Sequence, residues 1–216
     1  MERRPSPTRA LHVLAVLATA ATFCAAFGVS ARRSHASSDL PVIGHVPAFA
    51  IPDQRGRIVS GEILRGQVLV VNFFYATCTT SCPLLTGRMR SVQGAIARRE
   101  EQLERPLPIH LISITLDPEN DTPDVLRAYA ERVGADENRW SFLSGRSEDL
   151  DRIVVRGFKS TFQRADPSAG IGTIMHGEWL VLVDGAGSLR GFYAASDPAR
   201  MQSLVTDAIR LARGSS

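Results

Sequence analysis

Val68-Leu69-Val70-Val71-Asn72-Phe73-Phe74-Tyr75 runs, after two further residues, into Cys78-Thr79-Thr80-Ser81-Cys82-Pro83. The first stretch is apolar or aromatic at every position but Asn72, with no alternation. That is the pattern of a strand covered on both faces, as strands of a parallel sheet are. Pro83 suits the first position of a helix, where a missing N–H costs nothing. The reading is strand, short loop, helix, with two thiols on the loop and the second at the helix N-terminus. Unpaired N–H groups and a partial positive charge there favour thiolate over thiol. Such a pair is poised for redox chemistry or for binding a soft metal.

The flanking sequence places this unit in an α/β domain. His45 to Ile51 reads as extended, Asp53-Gln54-Arg55-Gly56 as a turn and Arg57 to Ser60 as a returning strand, so a small hairpin opens the domain. From Pro83, apolar residues recur at helical spacing to about Glu104, and Pro106 and Pro108 end the helix. Ile109 to Leu116 is a second apolar strand, within which His110 reads as a structural or edge histidine. Thr122 is an N-cap with Pro123 at the first helical position, and Gly134 closes that helix. Trp140 to Leu143 is a strand, and Ser147 to Arg156 a helix. Gly157 to Met175 reads as irregular, a length that suggests a functional or mobile loop. Glu178 to Val183, a turn at Asp184-Gly185, and Ser188 to Tyr193 form a hairpin, and Asp197-Pro198 starts a last helix. Alternating helices and apolar strands argue for a sheet with helices on both faces.

The chain has 216 residues and a formal net charge of +3. Residues 1–38 carry Arg3, Arg4, Arg9, Arg32 and Arg33 against Glu2, a net of +4, so residues 39–216 are close to neutral. Neither a basic patch nor a recognised motif points to nucleic acid. Arg3, Arg4 and Arg9 precede Ala10 to Val29, a stretch without Asp, Glu, Lys or Arg that is long enough to span a bilayer as a helix. Positive charge before it predicts a cytoplasmic N-terminus and an exported remainder. The expectation is a membrane anchor and linker over 1–38 and one domain over 39–216. The competing reading is a signal peptide cleaved after Ala31 or Ala36, with secretion to the periplasm. Cys24 follows Phe23, which is wrong for lipoprotein cleavage, and reads as a small apolar residue in lipid. Cys78 and Cys82 are then the exported cysteines, in a compartment where thiols oxidise.

Three residues separate Cys78 from Cys82, against the two of a standard redox pair. A structural disulfide closing so short a loop would constrain the unfolded chain little. Two thiolates suit a soft ion such as Cu(I), and a histidine would complete an S₂N donor set of copper type. His176 ends the long loop just before a strand and is the candidate third ligand. Asp117 also follows a strand and is a candidate for supporting the site, against the plainer reading of a carboxylate that bonds nearby backbone. Met89 fits the apolar stripe of its helix; Met175, beside His176, stays open.

These stretches resemble the Sco/SenC family of copper chaperones over about residues 45–212. The resemblance rests on Val70 to Tyr75 leading into Cys78-x-x-x-Cys82-Pro83; on Ser113 to Glu119 with Asp121-Thr122-Pro123; and on Met175-His176-Gly177 before Leu182-Val183-Asp184 and Gly187. It implies a thioredoxin-like fold, a central mixed sheet flanked by helices, with an N-terminal transmembrane helix. It implies copper, as Cu(I) or Cu(II), held by Cys78, Cys82 and His176, and delivery to the CuA centre in subunit II of cytochrome c oxidase. A copper donor chaperone and a thiol reductant are the further implied partners. The matching localisation is a single-pass inner-membrane protein with its domain in the periplasm. Thr79 stands where many members have proline. The alternative is a thiol–disulfide oxidoreductase with Cys78–Cys82 as its disulfide, keeping oxidase or other exported thiols reduced. The absence of proline between Pro167 and Pro198, where such enzymes carry a cis-proline, favours metal binding. A peroxidase of the peroxiredoxin type is the distant third reading. The family role is transfer of a metal ion, so no catalytic residue is assigned.

Overall fold

A computed structural model describes residues 40–78, 82–158, 162–164, 174–176 and 178–214. The Ala10–Val29 stretch expected to span a membrane lies outside them. Among the described residues, no helix is long and apolar enough to cross a bilayer.

The strands are β1 (Gly44–His45), β2 (Ala50–Pro52), β3 (Ile58–Ser60), β4 (Val68–Phe74), β5 (Ile109–Thr115), β6 (Trp140–Leu143), β7 (Phe162–Arg164), β8 (Ile174–His176), β9 (Trp179–Val183) and β10 (Ser188–Ala194). The helices are α1 (Cys82–Leu103), α2 (Pro123–Val133), α3 (Ser147–Asp151) and α4 (Pro198–Gly214). Six strands form one sheet in the order β1-β10-β9-β4-β5-β6. β4, β5 and β6 run parallel, β9 pairs antiparallel with β4 and β10 antiparallel with β9, so the central sheet is mixed as expected.

β4 is buried along its whole length and divides its side chains between two cores. Val68, Val70 and Phe74 face a layer built by α1, α2 and α4. Leu69, Val71 and Phe73 face a thinner layer of Phe49, Ile51, Val59, Leu64, Leu150, Ile153 and Phe158. Both faces are covered, but unequally: three long helices lie on one, and the β2–β3 hairpin with the short α3 on the other. Asn72 is the polar exception inside β4. Its Oδ1 accepts from Ser113 Oγ (2.6 Å), which accepts in turn from Trp140 Nε1 (2.9 Å), so a polar rung crosses β4, β5 and β6 within the core. Asn72 Nδ2 has no partner among the described residues.

The caps of α2 are those read from the sequence. Thr122 Oγ1 accepts from Val125 N (3.4 Å), and Gly134 ends the helix in the left-handed region at φ 68°. Two expectations change. The helix read over Ser147 to Arg156 stops at Asp151 and continues as a π-helical turn over Arg152–Gly157. Within the stretch read as irregular, β7 and β8 pair antiparallel, Phe162 opposite His176. Each is three residues long, too short for periodicity to register.

His110 bridges strands, its Nε2 2.9 Å from Ser141 Oγ. Burial, reinforced by Arg139 and Arg57, lowers its pKa to about 4. A base depressed in the folded state loses stability as pH falls below its unfolded pKa of about 6.5, because the unfolded chain then binds a proton the folded one refuses. The unfolding free energy should therefore fall between pH 6.5 and 4, by on the order of 3 kcal/mol from this group. His110→Gln, compared with wild type by urea unfolding across that range, should flatten this limb; an unchanged slope assigns it to other groups.

Candidate functional site

Parallel pairing in register builds the rim on which the two cysteines stand. Phe74 ends β4 opposite Thr115 at the end of β5, so the loops that follow leave the sheet side by side. Leu116 N donates to Phe74 O at 2.8 Å, extending the ladder one step beyond the strands. The chain after β4 then turns, Cys78 N donating to Tyr75 O (3.1 Å), and α1 begins at Cys82. β9 runs antiparallel to β4, with Val71 opposite Val181, so its N-terminal end lies at the same rim. β8, which ends at His176, enters β9 from that side. The backbone thus brings His176 to the edge of the sheet that holds the cysteine loop. Its side chain lies outside the described residues, as do Thr79, Thr80 and Ser81.

Cys78 and Cys82 are thiols in very different surroundings. Cys78 is half-buried, whereas Cys82 is 1% exposed and packed among the side chains of the helical layer. Cys82 N donates to Cys78 Sγ at 3.4 Å, a long contact of sulfur type. Burial pushes the Cys82 thiol well above the usual cysteine range, and the neighbouring Cys78 and Asp121 push it the same way against a hydrogen bond from the Tyr75 backbone. This corrects the expectation that the helix N-terminus would favour a thiolate at the second cysteine. Desolvation outweighs the dipole there, and the N–H that starts the helix is turned onto the other sulfur.

The carboxylate that reaches the cysteine loop is Asp121. It is fully buried and takes the Ala76 N–H with both oxygens (3.2 and 3.1 Å), together with a short hydrogen bond from Thr115 Oγ1. Burial raises its pKa, and those two hydrogen bonds partly offset the rise. Asp117, the residue singled out from the sequence, instead binds Asn120 Nδ2 with both carboxylate oxygens (3.0 and 2.9 Å). It acts within its own loop. A strand-ending Thr with an Asp just before a helix cap was the available signal for Asp121; nothing in the pattern says which of two aspartates turns inward. Met89 is fully buried core.

Beside Cys78 opens a cleft of about 350 Å³, bounded by Pro83, Thr86 and Arg90 of α1 and by Tyr129, Arg132 and Val133 of α2. The Tyr129 hydroxyl and Thr86 Oγ1 lie 2.7 Å apart, closing its floor, and burial raises the Tyr129 pKa. A larger cavity of about 700 Å³ lies near β2 and β3, and among the described residues neither cysteine nor histidine lines it. Among the described residues, no three metal-binding side chains converge. The two thiols are the sulfur groups that the described residues place at this rim.

Comparison with known proteins agrees with this architecture. The family model described as SCO1/SenC matches residues 21–210. A protein of Stutzerimonas stutzeri described as a putative copper-binding protein is 31% identical over 76% of this chain and 76% of its own. The crystal structure of a SCO1/SenC family lipoprotein from Bacillus anthracis is 25% identical, covering 80% of this chain and 97% of that one, with a TM-score of 0.69. BsSco, described as a member of the Sco family of cytochrome c oxidase assembly proteins with a disulfide switch, shares the fold: TM-score 0.67, 24% identity, 80% of this chain and 96% of that one.

Replacing Asp121 by alanine leaves the Ala76 N–H and the Thr115 hydroxyl buried without their acceptor. The expected loss is about 1–3 kcal/mol. Loosening of the loop should also speed alkylation of Cys82 by iodoacetamide, with Asp121→Asn in between. Alkylation at the wild-type rate in Asp121→Ala would show that the loop stands without this tie.

Proposed function

This chain belongs to the SCO1/SenC family, and from that premise we propose that it binds a copper ion through Cys78, Cys82 and His176 and hands it on during assembly of cytochrome c oxidase. The observation that carries the reading is that Cys78 and Cys82 flank the turn from β4 into α1, at the rim where β9, which follows His176 in the chain, begins. Two sulfurs and an imidazole make a donor set for copper, and the related protein of S. stutzeri is described as copper-binding. Copper here is cargo. The recipient is the CuA centre of the oxidase, and the domain works on the export side of a membrane, held there by the segment over Ala10 to Val29.

The chain's own residues divide the work of transfer. Cys78, half-buried beside the cleft, is the thiol that meets an incoming ion or a partner's thiolates first. Cys82 lies where burial disfavours the thiolate, and a thiol must lose its proton to bind a metal ion, so uptake of the metal is coupled to proton release. Asp121 keeps the loop between the two strands in register through Ala76 and Thr115. Release follows as a partner's thiolates replace Cys78 and Cys82 in turn.

A second reading is favoured by the same asymmetry. An accessible Cys78 beside a buried Cys82 is also the arrangement of an attacking and a resolving thiol. In that reading Cys78 attacks a partner's disulfide, Cys82 then displaces the partner, and the Cys78–Cys82 disulfide forms while the partner leaves reduced.

The purified full chain, reduced without oxygen, should take up about one copper in titrations with Cu(I) and Cu(II), the latter with a thiolate-to-copper absorption band. Cys78→Ala and Cys82→Ala should abolish the band. His176→Ala should shift or abolish it and weaken binding at least about tenfold, the lower end of what altering a metal site costs. A His176 variant indistinguishable from wild type removes the third ligand. Negligible copper binding by wild type moves the exchange reading ahead and makes the reduction potential of Cys78–Cys82 the next quantity to measure.

A further inference from the structure

The cleft beside Cys78 carries charge of one sign: Arg90 from α1 and Arg132 from α2 line it, and among the described residues no carboxylate does. Among the described residues, neither arginine forms an ion pair. Both guanidiniums instead lie against neutral groups. Arg132 lies over the Tyr129 ring, 4.9 Å from its centroid. Arg90 packs across Gly134, where a Cβ would meet its Cζ at 3.5 Å, at the C-terminal end of α2, whose carbonyls attract a cation. A cation over a ring is attracted to it without losing its charge. Two exposed positive charges therefore line the cleft into which Cys78 opens. The cleft, at about 350 Å³, is large enough for a few side chains of an extended segment and too small for a folded element.

We propose that this cleft is the docking groove for an acidic, cysteine-bearing segment of a partner protein, with Arg90 and Arg132 pairing its carboxylates so that its sulfur meets Cys78. The proposal deepens the transfer reading above and rests on it, because it takes Cys78 as the group a partner must reach. Charge on the rim of an encounter site acts mainly on partner choice and association rate, and it fades with salt. A thiol already flanked by two cations selects among cysteine-bearing segments by their neighbouring residues.

Two synthetic peptides test this, one with its cysteine flanked by glutamates and the other with the same cysteine flanked by lysines. Each is activated as a mixed disulfide with 5-thio-2-nitrobenzoate and mixed with the reduced full chain. The Cys78 thiolate attacks the peptide sulfur. A Cys78–peptide disulfide forms, the original S–S bond breaks, and the coloured aryl thiolate leaves with the electron pair. The ratio of the two rates cancels any effect of the arginines on the Cys78 thiol itself. At low salt the glutamate peptide should react about tenfold faster, at the lower end of electrostatic rate enhancement, and the ratio should shrink as salt is added. Arg90→Ala/Arg132→Ala should bring the ratio to about one, and Arg90→Glu/Arg132→Glu should invert it. Equal rates in wild type, or a ratio that survives both double variants, overturns the proposal. Copper titration of the same proteins separates the two readings. A wild type that binds no copper sinks the transfer function whatever the rate ratio, whereas copper binding with equal peptide rates sinks only the groove.

Discussion

The hydrogen bonds from Ala76 N–H and Thr115 Oγ1 to the buried Asp121 carboxylate tie the start of the cysteine loop to the end of β5. Parallel strands β4 and β5 deliver two loops to the same edge, but pairing stops at Phe74 and Thr115. One step further on, the Asp121 carboxylate takes the Ala76 N–H and so joins the start of the cysteine loop to the end of β5. A buried carboxylate is costly unless its oxygens are satisfied. Here the satisfying donors are the first N–H of the cysteine loop and the last side chain of the neighbouring strand, so the cost of burial becomes a constraint on loop position.

With the loop so held, the two thiols divide by environment. α1 must bury its apolar face, Leu85, Met89, Val92 and Ile96, against the sheet, and Cys82 belongs to that face. The helix therefore carries its first residue into the core, where desolvation sets the chemistry. Cys78, four residues earlier and off the helix, stays half-buried at the mouth of a cleft and takes the Cys82 N–H on its sulfur. One thiol is reachable and the other is reserved. That asymmetry serves sequential hand-over of a metal ion and serves thiol exchange equally well, which is why a metal titration rather than the geometry separates them.

Much of the fold was legible because its elements carry strong local signals. β4 reads as buried on both faces from its unbroken apolar run, α2 from Thr122, Pro123 and Gly134 at its ends, and the β9–β10 hairpin from Asp184-Gly185 between two strand patterns. β7 and β8 were not legible, since three residues give no period. Nor was the π-helical turn after α3, because the apolar spacing of Ile153, Val154 and Phe158 suits an α-helix nearly as well. The Asn72–Ser113–Trp140 rung was hidden for a different reason: its members come from three strands, and each alone looks like a polar intrusion into a core segment.

The sequence by itself determined the chemistry on offer: two thiols on a strand–loop–helix turn, a histidine ahead of the strand that returns beside it, and the family to which those motifs belong. These are properties of residue type and spacing, and spacing along a chain is local. The tertiary structure decided which groups act on that chemistry. Only the folded loop after β5 shows that Asp121 takes the Ala76 N–H while Asp117 binds Asn120. Only the packing of α1 decides that burial prevails over the helix dipole at Cys82. Only the meeting of α1 and α2 sets Arg90 and Arg132, 42 positions apart in the chain, on one cleft beside Cys78. Each outcome is a competition between desolvation, hydrogen bonding and charge, and the winner depends on neighbours that sequence spacing does not name.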